Sequence, residues 1–175
     1  MTHVSKSLTA LTWVIYPLAL VIGVSPILFF WVPEGTAFIE HDLLQLYGGT
    51  EQLLMWQKLS GFFVACLPAA FLLWALSNLL RLVKALKSGL WFAEQSETLC
   101  RQFGKALMWY VGAQILHRTL LVLILTATYP PGKHELHLSF SNNDLMTLVP
   151  AIFAMIFAHI VRLGRAQRDE LKQII

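Results

Sequence analysis

Four long apolar stretches, separated by short polar segments, occupy most of this chain. They run from about residue 8 to 32, 59 to 83, 106 to 129 and 145 to 163. An α-helix needs about 20 consecutive apolar residues to cross the hydrocarbon core of a bilayer. Lipid offers the backbone no hydrogen bonds, so helices are the spanning form that such runs adopt. The pattern therefore predicts an all-α, polytopic membrane protein with a single membrane domain, built as an up-and-down four-helix transmembrane bundle.

Composition supports a membrane environment. Hydrophobic residues make up 57% of the chain and charged residues 13%, whereas soluble domains carry about 25% charged residues. The net charge is +3, but the basic residues flank the apolar runs and form no face of their own. We therefore expect no direct nucleic-acid binding. The first run is longer than the ~7–15 apolar residues of a signal peptide, so we expect it to remain as a membrane anchor.

The basic residues predict the orientation of the helices, because Lys and Arg close to a span stay on the cytoplasmic side. Ten of them lie in three segments next to the spans: the N-terminus, the connection between spans two and three, and the C-terminal tail. These ten are Lys6, Arg81, Lys84, Lys87, Arg101, Lys105, Arg162, Arg165, Arg168 and Lys172. The other two connections hold Lys58 and Lys133. Both termini are therefore predicted to be cytoplasmic.

The connection between spans two and three has structure of its own. Ser88 and Gly89 are expected to end the helix that leaves span two. Residues 94–104 have the pattern of a short amphipathic helix, with Leu99 and Phe103 four positions apart on one face. We expect this helix to lie along the cytoplasmic membrane surface before the chain turns into span three. Such a helix can contact lipid, and it can also dock a cytosolic partner.

Two segments carry a resemblance to a known family. Within residues 78–107, a basic helix end is followed by a glycine, an aromatic residue, a Leu and Arg, and a glycine entering span three. These residues are Arg81, Lys84, Gly89, Phe92, Leu99, Arg101 and Gly104. The C-terminal segment has a glycine, a basic residue, an acidic pair and two aliphatic residues, at Gly164, Arg165, Asp169, Glu170, Ile174 and Ile175. In these motifs and its four-span layout the chain resembles the bacterial family named domain of unknown function 2975 (DUF2975). It departs from the family at Ala93, where a Ser or Thr helix cap is usual.

The resemblance implies a small four-span protein of the bacterial inner (cytoplasmic) membrane. The family has no established activity. Its members are often regarded as partners of small helix-turn-helix regulators, so the resemblance implies a cytosolic regulator of that kind as a partner here.

Span three is the place where polar residues enter a predicted span. Tyr110, Gln114, His117 and Arg118 lie at helical offsets that place them on one face. Arg118 is about 11 residues from the outer end of its span, which corresponds to a depth of ~16 Å. A charge at that depth needs the bundle interior, water or a partner. Because no Asp or Glu lies within any apolar run, we expect Arg118 to reach the interface, to use backbone carbonyls and Gln114, or to bind an anion from outside the chain.

His117 and His159 form a second candidate set. Counted from the outer ends of their spans, they lie ~18 and ~21 Å deep, nearly at one level. Two such histidines on neighbouring antiparallel helices can ligate one haem b iron from opposite faces. They can equally be satisfied polar residues, hydrogen-bonded to each other or to Tyr16 or Ser25. We expect the second arrangement and no cofactor, with haem b as the alternative.

Known catalytic and metal-binding motifs do not occur in the sequence. His134 and His137 lie three apart, and His41 lies in the other outer loop, but the prolines at 130 and 131 predict a loop rather than a metal-binding helix. There is no phosphate-binding glycine loop, no H-E-x-x-H and no G-x-S-x-G. We therefore expect no metal site and no catalytic residue, and a protein that is not an enzyme.

Three functions are compatible with these features. The favoured one is a non-enzymatic membrane protein that senses or regulates. Its cytosolic partner would bind Arg162, Arg165 and Arg168. Its ligand would bind the polar residues of the spans, Tyr110, Gln114, His117, Arg118 and His159. The alternatives are a haem-binding or redox protein that uses the two histidines, and a small transporter or accessory subunit, for which a homo-oligomer could form the pathway.

Overall fold

The computed structural model of the chain describes residues 2–31, 53–91, 93–127 and 142–174. These residues form four α-helices: α1 (Thr2–Trp31), α2 (Met55–Lys87), α3 (Glu94–Thr126) and α4 (Asn142–Ile174). Each helix is long and apolar enough to cross a membrane. The all-α prediction and the four apolar helices are thereby confirmed. Most of the α1–α2 and α3–α4 connections, with His41, His134 and His137, lies outside the described residues, as do the last residues of predicted spans one and three.

Helices that follow each other in the chain pack side by side and antiparallel. α1 packs on α2, α2 on α3 and α3 on α4. At one end of the molecule, Lys87 Nζ of α2 donates to Thr12 Oγ1 of α1 over 3.1 Å. At the opposite end, Phe30 of α1 lies over Gly61 of α2. The start of α1, the α2–α3 connection and the end of α4 therefore share one end of the molecule.

Small residues bring α2, α3 and α4 close together. Ala75, Ala106 and Ala151, one from each helix, are fully buried in one cluster with Leu107. Gly104 of α3 faces α4 closely. Small side chains let helix backbones approach, and in lipid such packing replaces the hydrophobic effect as the force between helices. This packing fixes which faces of α3 and α4 meet.

The turn between α2 and α3 ends α2 as the sequence predicts. Gly89 adopts a φ of 81°, a left-handed conformation that favours glycine. The amide of Gly89 donates to Leu86 O and that of Leu90 to Ala85 O, each over 3.1 Å. This pair of bonds is the Schellman arrangement, which satisfies carbonyls that a helix end would otherwise leave open.

The amphipathic segment 94–104 is helical, but the prediction of a separate surface helix was wrong. α3 runs without interruption from Glu94 to Thr126, so the chain does not turn before span three. Leu99 and Cys100 are buried in a cluster with Leu82 and Ala85 of α2 and with a residue of α4. Their apolar face is covered by protein, and no proline interrupts the helix.

The start of α3 supports a stability prediction. Ala93 is the N-cap residue, with extended backbone angles and no side-chain capping bond. We expect Ala93→Ser to raise the free energy of unfolding by about 1 kcal/mol, because its hydroxyl can accept a hydrogen bond from a free amide of the first turn. Detergent-solubilised protein titrated with denaturant and followed by circular dichroism measures this change. Ala127→Ser, at the C-cap of the same helix, adds a hydroxyl without an amide to cap; an equal gain there would contradict the explanation.

Candidate functional site

The most buried ion pair in the described part of the chain joins α3 to α4. Arg118 Nη1 lies 2.7 Å from Asp144 Oδ2, and Arg118 Nη2 lies 3.2 Å from Asp144 Oδ1. The two side chains are 18% and 5% exposed. Paired, parallel bonds between a guanidinium and a carboxylate are among the strongest hydrogen bonds in proteins. The pair therefore fixes the first turn of α4 against the side of α3.

This ion pair corrects the expectation for Arg118. The sequence predicts no carboxylate partner for Arg118, because no Asp or Glu lies within the four apolar runs, and Asp144 immediately precedes the fourth. In the structure α4 begins at Asn142, and its first turn lies level with Arg118. Arg118 is eight residues (~12 Å) before the end of α3 at Thr126. A buried guanidinium without a counter-charge is costly, and a carboxylate in the first turn also complements the helix dipole. Arg118 is thus neutralised within the chain.

The other polar residues of span three lie together along α3. Gln114 Nε2 donates to Tyr110 Oη over 2.8 Å. Tyr110, Gln114 and His117 are all half-buried, and Arg118 lies one turn beyond Gln114. We name these four residues the polar strip; it covers ~12 Å of the helix. Its guanidinium already has a counter-ion, so the strip offers hydrogen bonds rather than a free positive charge, and this favours a neutral polar ligand over an anion.

His117 and His159 do not lie at one level, so this prediction was wrong. Gly104 of α3 faces residues 151–155 of α4, and Arg165 of α4 contacts Glu97 of α3. His159 is therefore level with about residues 98–104 of α3, while His117 lies at least ~20 Å farther along that helix. His159 is also exposed. The error arose because α4 begins level with Arg118 and not with the end of α3. The two imidazoles are too far apart to bind opposite faces of one haem iron.

A second cluster of charges joins α3 to α4 at the opposite end. Glu97 is 6% exposed and accepts a hydrogen bond from Arg101, one turn later on α3. Arg165 Nη2 of α4 lies 3.4 Å from Glu97 Oε2, and Arg165 Nη1 lies 3.5 Å from Glu94 Oε2. Two guanidinium groups therefore share one buried carboxylate. The cluster fixes α4 to the first turn of α3.

The three arginines predicted to bind a partner do not share one environment. Arg165 is engaged by Glu94 and Glu97, so it contributes to the helix packing. Arg162 and Arg168 are exposed, and neither forms an ion pair with any residue in the described ranges. Beyond Arg165, α4 continues for nine residues to Ile174, so ~13 Å of helix extends past the first turn of α3.

Sequence reasoning missed two buried polar residues that connect helices, Gln57 and Glu97. Gln57, 4% exposed, accepts from Leu54 N and donates to Ile124 O of α3, each over 3.0 Å. Gln57 thereby joins the start of α2 to the end of α3, at the end of the molecule opposite the Arg165 cluster. A Gln three residues after the residue that starts a helix is a known capping pattern, and Glu97 lies four residues before Arg101, an ion-pair spacing. Both signals were present, but neither reveals contact with another helix.

The described residues give no support to a metal site. Nowhere in the described ranges do three or more His, Cys, Asp or Glu residues come together in a group that could hold a metal ion. Cys66 is half-buried, Cys100 is buried, and both are free thiols. Cys100 packs among apolar side chains, so its role is structural.

Comparison with known proteins adds no assignment to this geometry. No protein-family model matches the chain, and neither a curated protein nor a solved structure matches it. The resemblance to DUF2975 accordingly stays a prediction that depends on the motif residues.

Proposed function

We propose that this chain is a non-enzymatic, multi-pass protein of the bacterial inner membrane that regulates a cytosolic partner through the exposed end of α4. One observation carries the proposal. α4 continues as a helix past the first turn of α3, fixed by Arg165, and exposes Arg162 and Arg168. A fixed helix that carries unpaired charges binds at a lower entropy cost than a flexible tail.

The distribution of charge supports a cytoplasmic location for this end. It holds ten basic residues of the described ranges, Lys6, Arg81, Lys84, Lys87, Arg101, Lys105, Arg162, Arg165, Arg168 and Lys172. The opposite end holds Lys58. Since basic residues next to spans stay on the cytoplasmic side, the start of α1 and the end of α4 are both assigned to the cytoplasm.

Charge also indicates the kind of partner. Arg162 and Arg168 need an acidic surface, because opposite charges across an interface steer association and select the partner. The resemblance to DUF2975 suggests a small helix-turn-helix regulator, and such a protein would offer its acidic face to α4. In this arrangement, binding to the membrane protein sequesters the regulator.

The polar strip is assigned to ligand sensing. α4 carries Asp144 at one end and the exposed arginines near the other. A polar ligand that hydrogen-bonds Gln114 or His117 would bind beside the Arg118–Asp144 pair and act on the position of α4. Coupling of this kind requires the ligand to favour one arrangement of α4 over another.

The structure bears differently on the two alternative functions, haem binding and transport. The haem hypothesis loses its geometry, because His117 and His159 are at different levels. The transporter hypothesis gains an intramembrane acid in Asp144, but that carboxylate is neutralised by Arg118.

Charge reversal tests partner binding. We expect the double variant Arg162→Glu/Arg168→Glu to retain about tenfold less of the cytosolic proteins that co-purify with wild type from native membranes, because each reversal removes an attraction of about 0.5–1 kcal/mol. Quantitative mass spectrometry of the purified complexes measures the loss. Lys58→Glu, at the opposite end, is the matched control and should retain them. A double variant that keeps every wild-type partner at the wild-type level would rule out this docking surface.

A further inference from the structure

An aromatic cluster bridges α2 and α3 on the surface of the molecule. The rings of Phe71 (α2) and Trp109 (α3) stack, with centroids 6.1 Å apart and planes inclined by 15°. Trp74, one turn after Phe71, has its ring centroid 6.4 Å from that of Phe71. Trp74 is 42% exposed and Trp109 is 62% exposed. The cluster therefore presents two large, amphipathic rings to whatever surrounds the helices.

Two exposed basic residues lie beside this cluster. Arg81 is two helical turns after Trp74 on α2, and Lys105 is one turn before Trp109 on α3, so each shares a face with its aromatic neighbour. Because the helices are antiparallel, both basic residues lie on the cytoplasmic side of the rings. Neither forms an ion pair with any residue in the ranges that the structure describes.

The register of the helices places the two charges close together. The bond from Gln57 to Ile124 sets Arg81 level with about residue 100 of α3. Arg81 and Lys105 are then separated by about 7 Å along the helix axis, a gap that their long side chains can span. Residues 71–87 and 98–109 contain no Asp or Glu, so this face supplies no counter-charge of its own.

These features identify the chemistry of the missing partner. A phosphate group can bind both Arg81 and Lys105, while the aromatic rings suit the boundary between headgroups and acyl chains, where Trp is enriched. The arginine and the lysine lie at the predicted cytoplasmic ends of spans two and three, at headgroup depth. Basic pockets between helices on the cytoplasmic side are known to bind anionic lipids.

We propose that this face of α2 and α3 is a binding site for one anionic phospholipid. The headgroup phosphate binds Arg81 and Lys105. The part of the acyl chains nearest the headgroup packs on Trp74 and Trp109. The inference depends on the membrane location of the chain and is independent of partner docking by α4.

Tryptophan quenching tests this site. The full-length protein is reconstituted into phosphatidylcholine vesicles that contain a minor fraction of phosphatidylglycerol, with bromine on the acyl chains of one lipid or the other. We expect brominated phosphatidylglycerol to quench more strongly than brominated phosphatidylcholine at equal content. The double variant Arg81→Gln/Lys105→Gln should lose this excess and bind phosphatidylglycerol roughly 30-fold more weakly, since each basic residue contributes about 1 kcal/mol of attraction to an anionic headgroup. Trp74→Phe/Trp109→Phe should lose most of the excess quenching, because it removes the reporters nearest to the acyl chains.

A matched control separates a site from general surface charge. Arg162→Gln/Arg168→Gln removes two exposed charges from α4, and we expect it to keep the excess quenching. Equal quenching by both lipids in wild type, an unchanged excess in the Arg81/Lys105 variant, or an equal loss in the α4 variant would each overturn the site. Failure of the wild type to insert into pure phosphatidylcholine vesicles would instead contradict the membrane location itself.

Discussion

Replacing Asp144 with alanine is expected to lower the free energy of unfolding by about 3–5 kcal/mol, because it leaves the buried guanidinium of Arg118 without its counter-charge. The first turn of α4 would then lose its bidentate attachment to α3. Titration of the detergent-solubilised protein with denaturant, followed by circular dichroism, measures the change.

Two variants make this result specific to the ion pair. Arg118→Met combined with Asp144→Leu removes both charges and keeps the volume, so it should restore most of the stability lost in Asp144→Ala. Asp169→Ala removes an exposed carboxylate from the same helix and should change stability by less than about 0.5 kcal/mol. If Asp144→Ala and Asp169→Ala prove equally stable, the pair makes no net contribution to the fold.

The second large effect is expected from Gly104→Ala. A Cβ at this position would lie 2.9 Å from Met155 Cγ and 3.0 Å from the backbone oxygen of Ala151. The Met155 side chain can move, but the Ala151 backbone moves only if α3 and α4 separate. We expect a loss of about 1–3 kcal/mol in the free energy of unfolding, measured by the same titration.

Gly112→Ala is the matched control for this substitution. It lies on the same helix, and a Cβ added there would meet nothing within 4 Å, so alanine should be neutral or stabilise by up to about 1 kcal/mol. Adding Met155→Ala to Gly104→Ala should relieve only the side-chain contact. Equal stabilities of Gly104→Ala and Gly112→Ala would show that the α3–α4 contact is looser than the structure indicates.

The local features of the chain were predictable because each depends on neighbouring residues alone. Long apolar runs predicted the four helices, and Ser88 and Gly89 predicted the end of α2, since a left-handed glycine closes a helix whatever surrounds it. Helical periodicity also placed Tyr110 and Gln114 on one face, where they form a hydrogen bond.

Features that depend on register were predicted poorly. The levels of His117 and His159 were wrong because depth was counted from the ends of apolar runs, which assumes that neighbouring helices begin at the same height. The separate surface helix at 94–104 was wrong for a related reason. Its apolar face packs on α2, and sequence periodicity cannot distinguish a face that meets protein from one that meets lipid.

The sequence by itself determined that the chain forms four long apolar helices with most of its basic residues toward one end, because length, hydropathy and turn residues act locally. Only the tertiary structure decided the pairing of Arg118 with Asp144 and of Arg165 with Glu97. Those partners are 26 and 68 positions apart in the chain. They meet because α3 and α4 pack through Gly104 at one particular register, which close backbone contact sets and no local pattern records.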